Sequence, residues 1–237
     1  MNIKDYGFKD NINTDKTIAR IVATHKDRYE IVCNEGHGFA QIKRGCYYDN
    51  PDSIYPTTGD FVAIQWNPTG DSMIYETLKR ESSFSRTAST SDRNHKLHNQ
   101  HEQLVAANFD YVFIIQSLNN NFNLHRIERY LSLAWESGGV PVIVLTKSDL
   151  VSNVQEYIGQ VEDIAFGVEI YAVSCVTKQG LENLEKYFSK GNTIVFLGSS
   201  GVGKSTLVNT LYGKEVMKTS EIRKEDSRGR HTTTSRN

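Results

Sequence analysis

NTIVFLGSSGVGKSTLVNTLYG, residues 192–213, decides the fold. An apolar stretch (192–198) runs into Gly198-Ser199-Ser200-Gly201-Val202-Gly203-Lys204-Ser205, which fits GxxxxGK[ST], and an amphipathic stretch follows over 204–213. A strand that enters a glycine-rich turn and leaves it as a helix is the context this pattern requires. The glycines let backbone N–H groups close around phosphate oxygens without Cβ clashes. The helix presents its positive end to the same anion. Lys204 is then placed to reach β- and γ-phosphates, and the Ser205 hydroxyl to ligate Mg²⁺. The bland alternative, a glycine-rich turn with a chance Lys-Ser pair, leaves the agreement of motif and context unexplained.

Upstream of this loop, strands and helices alternate. DYVFIIQSL (110–118) reads as a buried strand, and Leu124, Ile127, Leu131 and Ala134 then recur at helical spacing. VPVIVLT (140–146) is a strand, 151–166 a helix, VEIYAVS (168–174) a strand and LENLEKYF (181–188) a helix. Such alternation implies βαβ units, hence an α/β fold with a mostly parallel sheet and helices on both faces.

Thr146-Lys147-Ser148-Asp149 closes one of these strands, at the ligand-binding edge of a parallel sheet. Asp149 there can accept hydrogen bonds from the N1–H and 2-amino groups of guanine. Adenine offers neither donor and would leave a partly buried charge unpaired. Lys147 can lay its methylene stem along the base. The same residues also suit a helix N-cap, with Ser148 or Asp149 ahead of VSNVQEYI. Ser174 and Cys175 end the next strand. In a guanine site a backbone N–H here would meet the base O6; otherwise this is simply a strand ending in small residues.

The first 80 residues read differently. TIARIVAT (17–24), YEIVC (29–33), FAQI (39–42), DFVAIQW (60–66) and SMIYETL (72–78) are β-branched or aromatic-rich, with turn residues between them. Five short strands suggest an OB-type β-barrel, with an SH3-like barrel left open. Residues 81–107 show no period and read as a linker or mobile loop. The expected organisation is therefore 1–80 barrel, 81–107 linker, 108–237 nucleotide-binding domain. Tyr47, Tyr48, Phe61 and Trp66 can stack on bases or fill the barrel core, and Lys43 and Arg44 lie beside the tyrosines. His95, His98 and His101 recur every three residues, with nothing acidic or thiol-bearing to complete a metal site, and read as a solvated linker.

Composition narrows the class. The chain has 237 residues, 38% hydrophobic and 23% charged, an ordinary globular profile with room for a core. No apolar run approaches the ~20 residues of a membrane span, and the N-terminus carries no secretory h-region. The 3 cysteines, Cys33, Cys46 and Cys175, fit neither a disulfide framework nor a zinc motif. A cytoplasmic location is expected, with no membrane partner. A net charge of -1 excludes a globally basic nucleic-acid binder but not a local basic face, such as Arg223, Lys224, Arg228 and Arg230 in the tail.

The base-reading segments 146–149 and 173–175 precede the phosphate loop 198–206, the reverse of the order in ordinary small GTPases. With the N-terminal barrel, the run Gly229-Arg230-His231-Thr232-Thr233-Thr234 and the segment RIERYLSLAWESGGVPVIVLTKSDL, the chain closely resembles the circularly permuted ribosome-assembly GTPases of the RsgA type. The resemblance implies an OB-type barrel followed by a circularly permuted P-loop GTPase domain. It implies a GTP-hydrolysing monomer that binds GTP or GDP with Mg²⁺ and acts late in maturation of the small (30S) ribosomal subunit. The barrel would touch rRNA, and ribosome binding would accelerate hydrolysis. Thr146, Lys147, Ser148, Asp149, Ser174 and Cys175 would read guanine. Gly198, Ser199, Ser200, Gly201, Val202, Gly203, Lys204, Ser205 and Thr206 would hold the phosphates and Mg²⁺. The run 229–234 would be a switch, with His231 helping the attacking water.

The pattern departs from the family in three ways. Thr146 stands where the family has Asn and cannot reproduce the paired hydrogen bonds of an amide, so weaker support of the loop is expected. Cys175 stands where Ala is usual. No DxxG follows the phosphate loop within these residues, and the family's cysteine/histidine zinc domain would come still further on, so zinc is expected only in such a domain. The 237 residues alone are accordingly expected to bind guanine nucleotide weakly and to hydrolyse GTP hardly at all. The alternative is a non-hydrolysing RNA- or ribosome-binding module with a degenerate, structural nucleotide pocket; an ATP-dependent phosphotransferase is a weaker third reading.

Overall fold

β-Branched and aromatic residues build the first unit into strands. A computed structural model describes residues 1–10, 12, 14–26, 28–48, 53–86 and 103–217. The strands are β1 (Thr17–Thr24), β2 (Tyr29–Cys33), β3 (Gly36–Ile42), β4 (Phe61–Gln65) and β5 (Ser72–Thr77), with helix α1 (Arg44–Tyr48) between β3 and β4. They close in the order β1-β2-β3-β5-β4, with β4 returning to β1. The β3–β5 pair is parallel and the other pairs are antiparallel. This closed Greek-key order is that of an OB-type barrel rather than the SH3-like alternative.

The inward side chains alternate along each strand, as a two-residue period demands. Ala19, Ile21, Ile31, Cys33, Ala40, Val62, Ile64 and Ile74 form the core with Tyr47. Tyr47 is 3% exposed and its hydroxyl shares a 2.9 Å hydrogen bond with Thr77, so it fills the barrel instead of offering a stacking face. Phe61 is buried too, and Trp66 packs partly buried against the core. Tyr48 alone of the four aromatics is strongly exposed.

One end of the barrel is tied by a buried ion pair. Asp60, fully buried, accepts two bonds from Arg80 (Nε 2.7 Å, Nη2 2.6 Å) and one from the Thr57 N–H (2.8 Å). Arg80 also donates to the Tyr55 carbonyl at 2.9 Å. Removing one partner leaves a buried charge uncompensated, which costs about 3–5 kcal/mol. Asp60→Ala is therefore expected to lower the barrel's melting temperature by at least about 10 °C in a thermal scan. A loss below about 1 kcal/mol would show that the pair is solvent-compensated.

The stretch 81–107, expected as a linker without regular structure, instead pairs at both ends as β6 (Ser83–Arg86) and β7 (Gln103–Ala107). Phe84 stacks on Phe109 at 4.9 Å, and Ser82 exchanges hydrogen bonds with the Phe109 backbone (2.6 and 2.7 Å). His95, His98 and His101 lie outside the described residues. The first compact unit runs from Met1 to Phe109, and the second begins at Asp110.

The second unit is a parallel sheet in the order β10-β9-β8-β11. Its strands are β8 (Tyr111–Ser117), β9 (Val140–Thr146), β10 (Glu169–Val173) and β11 (Ile194–Leu197). The helices are α2 (Leu124–Ser137), α3 (Val154–Glu162) and α4 (Lys204–Tyr212), and Leu181–Phe188 is a 3-10 helix. Phe113, Ile115, Val142, Val144 and Val173 face Leu184, Tyr187 and Leu207 on one side of the sheet. Alternation sends Ile114 and Gln116 to the other side, where α2 packs on β8 and β9 and α3 on β10. Apolar runs without polar alternation, as in 112–115 and 142–145, are what a sheet covered on both faces requires. Residues 181–188 take the tighter helix because Leu181, Leu184 and Tyr187 recur every three residues, the period of that form. Among the described residues no helix is long and apolar enough to cross a membrane.

Candidate functional site

The C-terminal ends of β8, β9, β10 and β11 lie along one edge of the second sheet, and the segments leaving them meet there. β11 ends at Leu197, the glycine-rich loop spans 198–203, and α4 starts at Lys204. Gly198 is forced by a close approach: a Cβ there would stand 2.6 Å from the Ile115 carbonyl oxygen. Gly201 and Gly203 take φ of 78° and 94°, left-handed values that suit glycine. Val202, between them, is buried and anchors the loop in the core.

Lys204 folds back over the loop and donates to the carbonyls of Gly198 and Ser199, both at 2.6 Å. Burial holds its ammonium below the usual lysine range. An anion arriving in the loop would relieve that penalty, so the loop is electrostatically prepared for one.

The strand-end tetrapeptide of β9 grips the far half of the same loop. Thr146 donates its hydroxyl to the Val202 carbonyl at 2.5 Å. Lys147, held at φ 60°, donates Nζ to the Gly201 carbonyl at 2.9 Å. Burial lowers the Lys147 pKa, with Asp149 opposing the shift. At Thr146 one hydroxyl supplies one loop tether and cannot supply the second donor of an amide.

Ser148 is buried, and Asp149 is exposed on a 3-10 turn, Ser148–Leu150. Neither caps the following helix, because Asn153 holds the N-cap position of α3. The capping alternative is therefore set aside. Asp149 Oδ1 accepts the Ser174 hydroxyl at 2.6 Å. That hydroxyl accepts the Val176 and Thr177 N–H groups (3.2 and 3.1 Å), so its own proton goes to the carboxylate. The Ser174 N–H is taken by the Gln179 carbonyl at 3.0 Å. Burial is the main cause that raises the Cys175 thiol, which lies next in the chain.

Two residues that sequence reasoning did not single out also touch the loop. Arg126 Nη1 donates to the Ser199 hydroxyl at 3.2 Å, and Asn121 Nδ2 lies 3.4 Å from the same oxygen. No periodicity marks them, because the contact joins positions 73 and 78 residues apart. Ser205 and Thr206 lie in the first turn of α4. His231, with the rest of 229–234, falls outside the described residues.

The assembled site pairs a cationic anion cradle with a carboxylate acceptor, braced by contacts between segments more than 50 residues apart. The family model described as RsgA GTPase matches residues 78–237. The chain is 42% identical over its whole length to "Small ribosomal subunit biogenesis GTPase RsgA 1" of Listeria innocua, and spans 66% of that relative's length. It is 37% identical to an RsgA 2 of Lactiplantibacillus plantarum, covering 100% of this chain and 67% of that one. Among solved structures, YjeQ from Thermotoga maritima superposes with a TM-score of 0.66 at 26% identity, over 83% of this chain and 65% of that chain. YloQ, described as a circularly permuted GTPase, superposes at 0.61 with 18% identity, over 86% of this chain and 66% of that one, a likeness of fold.

Proposed function

Since this chain belongs to the RsgA GTPase family, we propose that it binds guanine nucleotide, hydrolyses GTP to GDP and phosphate, and acts on the small ribosomal subunit during its maturation. The observation that carries the reading is the double tether of the β9 tetrapeptide to the phosphate loop, Thr146 to Val202 and Lys147 to Gly201. It draws the strand end that carries Asp149 onto the loop, which supports reading the two as the base acceptor and the phosphate cradle of a single site. The names of the relatives support the ribosomal part of the reading.

In this proposal Asp149 accepts from guanine N1–H and the 2-amino group, with Ser174 orienting the carboxylate. The Cys175 N–H meets O6, since the Ser174 N–H is already engaged. The stem of Lys147 lies along the base. Loop N–H groups of 198–206 and Lys204 hold the phosphates. Among the described residues no cluster of three His, Cys, Asp or Glu forms a metal cage. A lone hydroxyl nevertheless suits Mg²⁺, which keeps several waters and binds through substrate phosphates. Ser205 would hold that ion, whose charge offsets the β- and γ-oxygens. His231 is assigned to orienting the attacking water on the resemblance alone. On the barrel, Lys16 and Lys43 lie over the Tyr75 ring (4.7 and 4.3 Å) and Arg28 over Phe39 (3.4 Å). Cations over aromatic faces suit RNA contact, with charge for phosphate and a ring for a base.

Co-sedimentation with purified small subunits tests the ribosomal part. The chain is expected to pellet with subunits in a non-hydrolysable GTP analogue and less with GDP, and the little GTP turnover expected of these 237 residues should be faster with subunits than without. Equal pelleting in both nucleotides, with no change in turnover, would reduce the proposal to nucleotide binding.

A further inference from the structure

Arg126 reaches the phosphate loop from outside its motif. It stands in the first turn of α2, whose N-cap Asn123 accepts the Arg126 backbone N–H at 2.9 Å. Its Nη1 donates to Asn121 Oδ1 (3.0 Å), the Asn121 carbonyl (3.3 Å) and the Ser199 hydroxyl (3.2 Å). Asn121 is braced from below, because Gln116, buried on β8, donates to its carbonyl at 2.5 Å. Each acceptor of these Arg126 bonds is neutral. A half-buried guanidinium served by neutral oxygens gains most from an anion brought near it.

The loop has a direction. Its far half, Gly201 and Val202, is held by Lys147 and Thr146, beside the base-reading carboxylate. Its near half, Gly198 and Ser199, is held by Lys204, the residue that reaches β- and γ-phosphates in such loops. Arg126 therefore acts at the end of the loop remote from the base. Two cations converge on Ser199, Lys204 on its carbonyl and Arg126 on its hydroxyl.

We propose that Arg126 is a positioning residue that, through Ser199, makes this site favour a nucleoside triphosphate over a diphosphate. The inference rests on the guanine-nucleotide reading above and extends it to the terminal phosphate. The added charge of the third phosphate lies at the end of the loop that Arg126 holds. A residue that only propped the loop would strengthen both nucleotides alike.

The test is titration of the chain with fluorescent GDP and a fluorescent non-hydrolysable GTP analogue, both with Mg²⁺. Arg126→Ala is expected to weaken the GTP analogue about tenfold and GDP by less than about threefold. Arg126→Lys, which keeps the charge but not the fork, should restore part of that selectivity. Ser199→Ala should reproduce the selective loss, and the double variant should be no worse than the single ones, because the two residues act as one unit. Should Arg126→Ala fold poorly, the Arg126→Lys and Ser199→Ala ratios decide. Equal losses for both nucleotides, or none, would overturn the inference while leaving nucleotide binding intact. If the unsubstituted chain bound neither nucleotide, the guanine-nucleotide reading would fall and this inference with it.

Discussion

In a competition titration, Asp149→Asn is expected to weaken GDP by about a hundredfold or more, roughly 3 kcal/mol, and to make xanthosine diphosphate the better ligand. The direction follows from the hydrogen bonds around the carboxylate. Ser174 receives two backbone N–H groups and so must donate its proton to position 149. An asparagine would satisfy Ser174 with its amide oxygen and turn its NH₂ to the place of Oδ2. Guanine presents donors along that edge, so the variant would set donor against donor. Xanthine carries a carbonyl at the 2-position and accepts from the same NH₂. Retained GDP preference in the variant would mean that Asp149 does not read the base.

Lys204→Ala is expected to reduce affinity for every nucleotide by more than about a hundredfold, since it removes a charge-assisted bond worth about 3 kcal/mol. In the structure Nζ donates to two loop carbonyls, those of Gly198 and Ser199, and burial already weighs against its charge. The lysine is therefore poorly repaid by folding alone and strongly served by a bound phosphate. The loss should be common to GDP, GTP and xanthosine nucleotides, in contrast to the base-selective effect at Asp149. The barrel core contains no residue of this loop, so its thermal transition should not move. Unchanged GDP affinity in Lys204→Ala would show that the loop at 198–205 is not the phosphate site.

Much of this arrangement was legible because local chemistry dictates it. Gly198, Gly201 and Gly203 are required by a backbone contact or a left-handed turn, and those constraints leave a spaced motif in the sequence. The barrel strands announced themselves through two-residue alternation, and the sheet through unbroken apolar runs. What stayed hidden depends on partners distant in the chain. β6 and β7 are held by Phe84 against Phe109 and by Ser82 on the Phe109 backbone, contacts that impose no period on a Ser- and Thr-rich stretch. Between stacking and the core, which the sequence left open for Tyr47, the structure takes the core: an aromatic on a short helix points inward as readily as outward, and here Thr77 waits for its hydroxyl inside. Tyr75, crossed by two lysines, went unnoticed because only the barrel's closure brings Lys16 and Lys43 to it. Arg126 was missed for the same reason.

The central claim is that Thr146–Asp149 and Gly198–Thr206 form one purine nucleotide pocket despite their inverted order along the chain. A crystal structure of the chain soaked with Mg²⁺ and a GTP analogue tests it most directly. The account predicts the guanine edge on the Asp149 carboxylate, the base against the Lys147 stem, and the phosphates inside the 198–205 loop. Nucleotide lodged elsewhere, or phosphates in the loop with the purine turned away from Asp149, would contradict it.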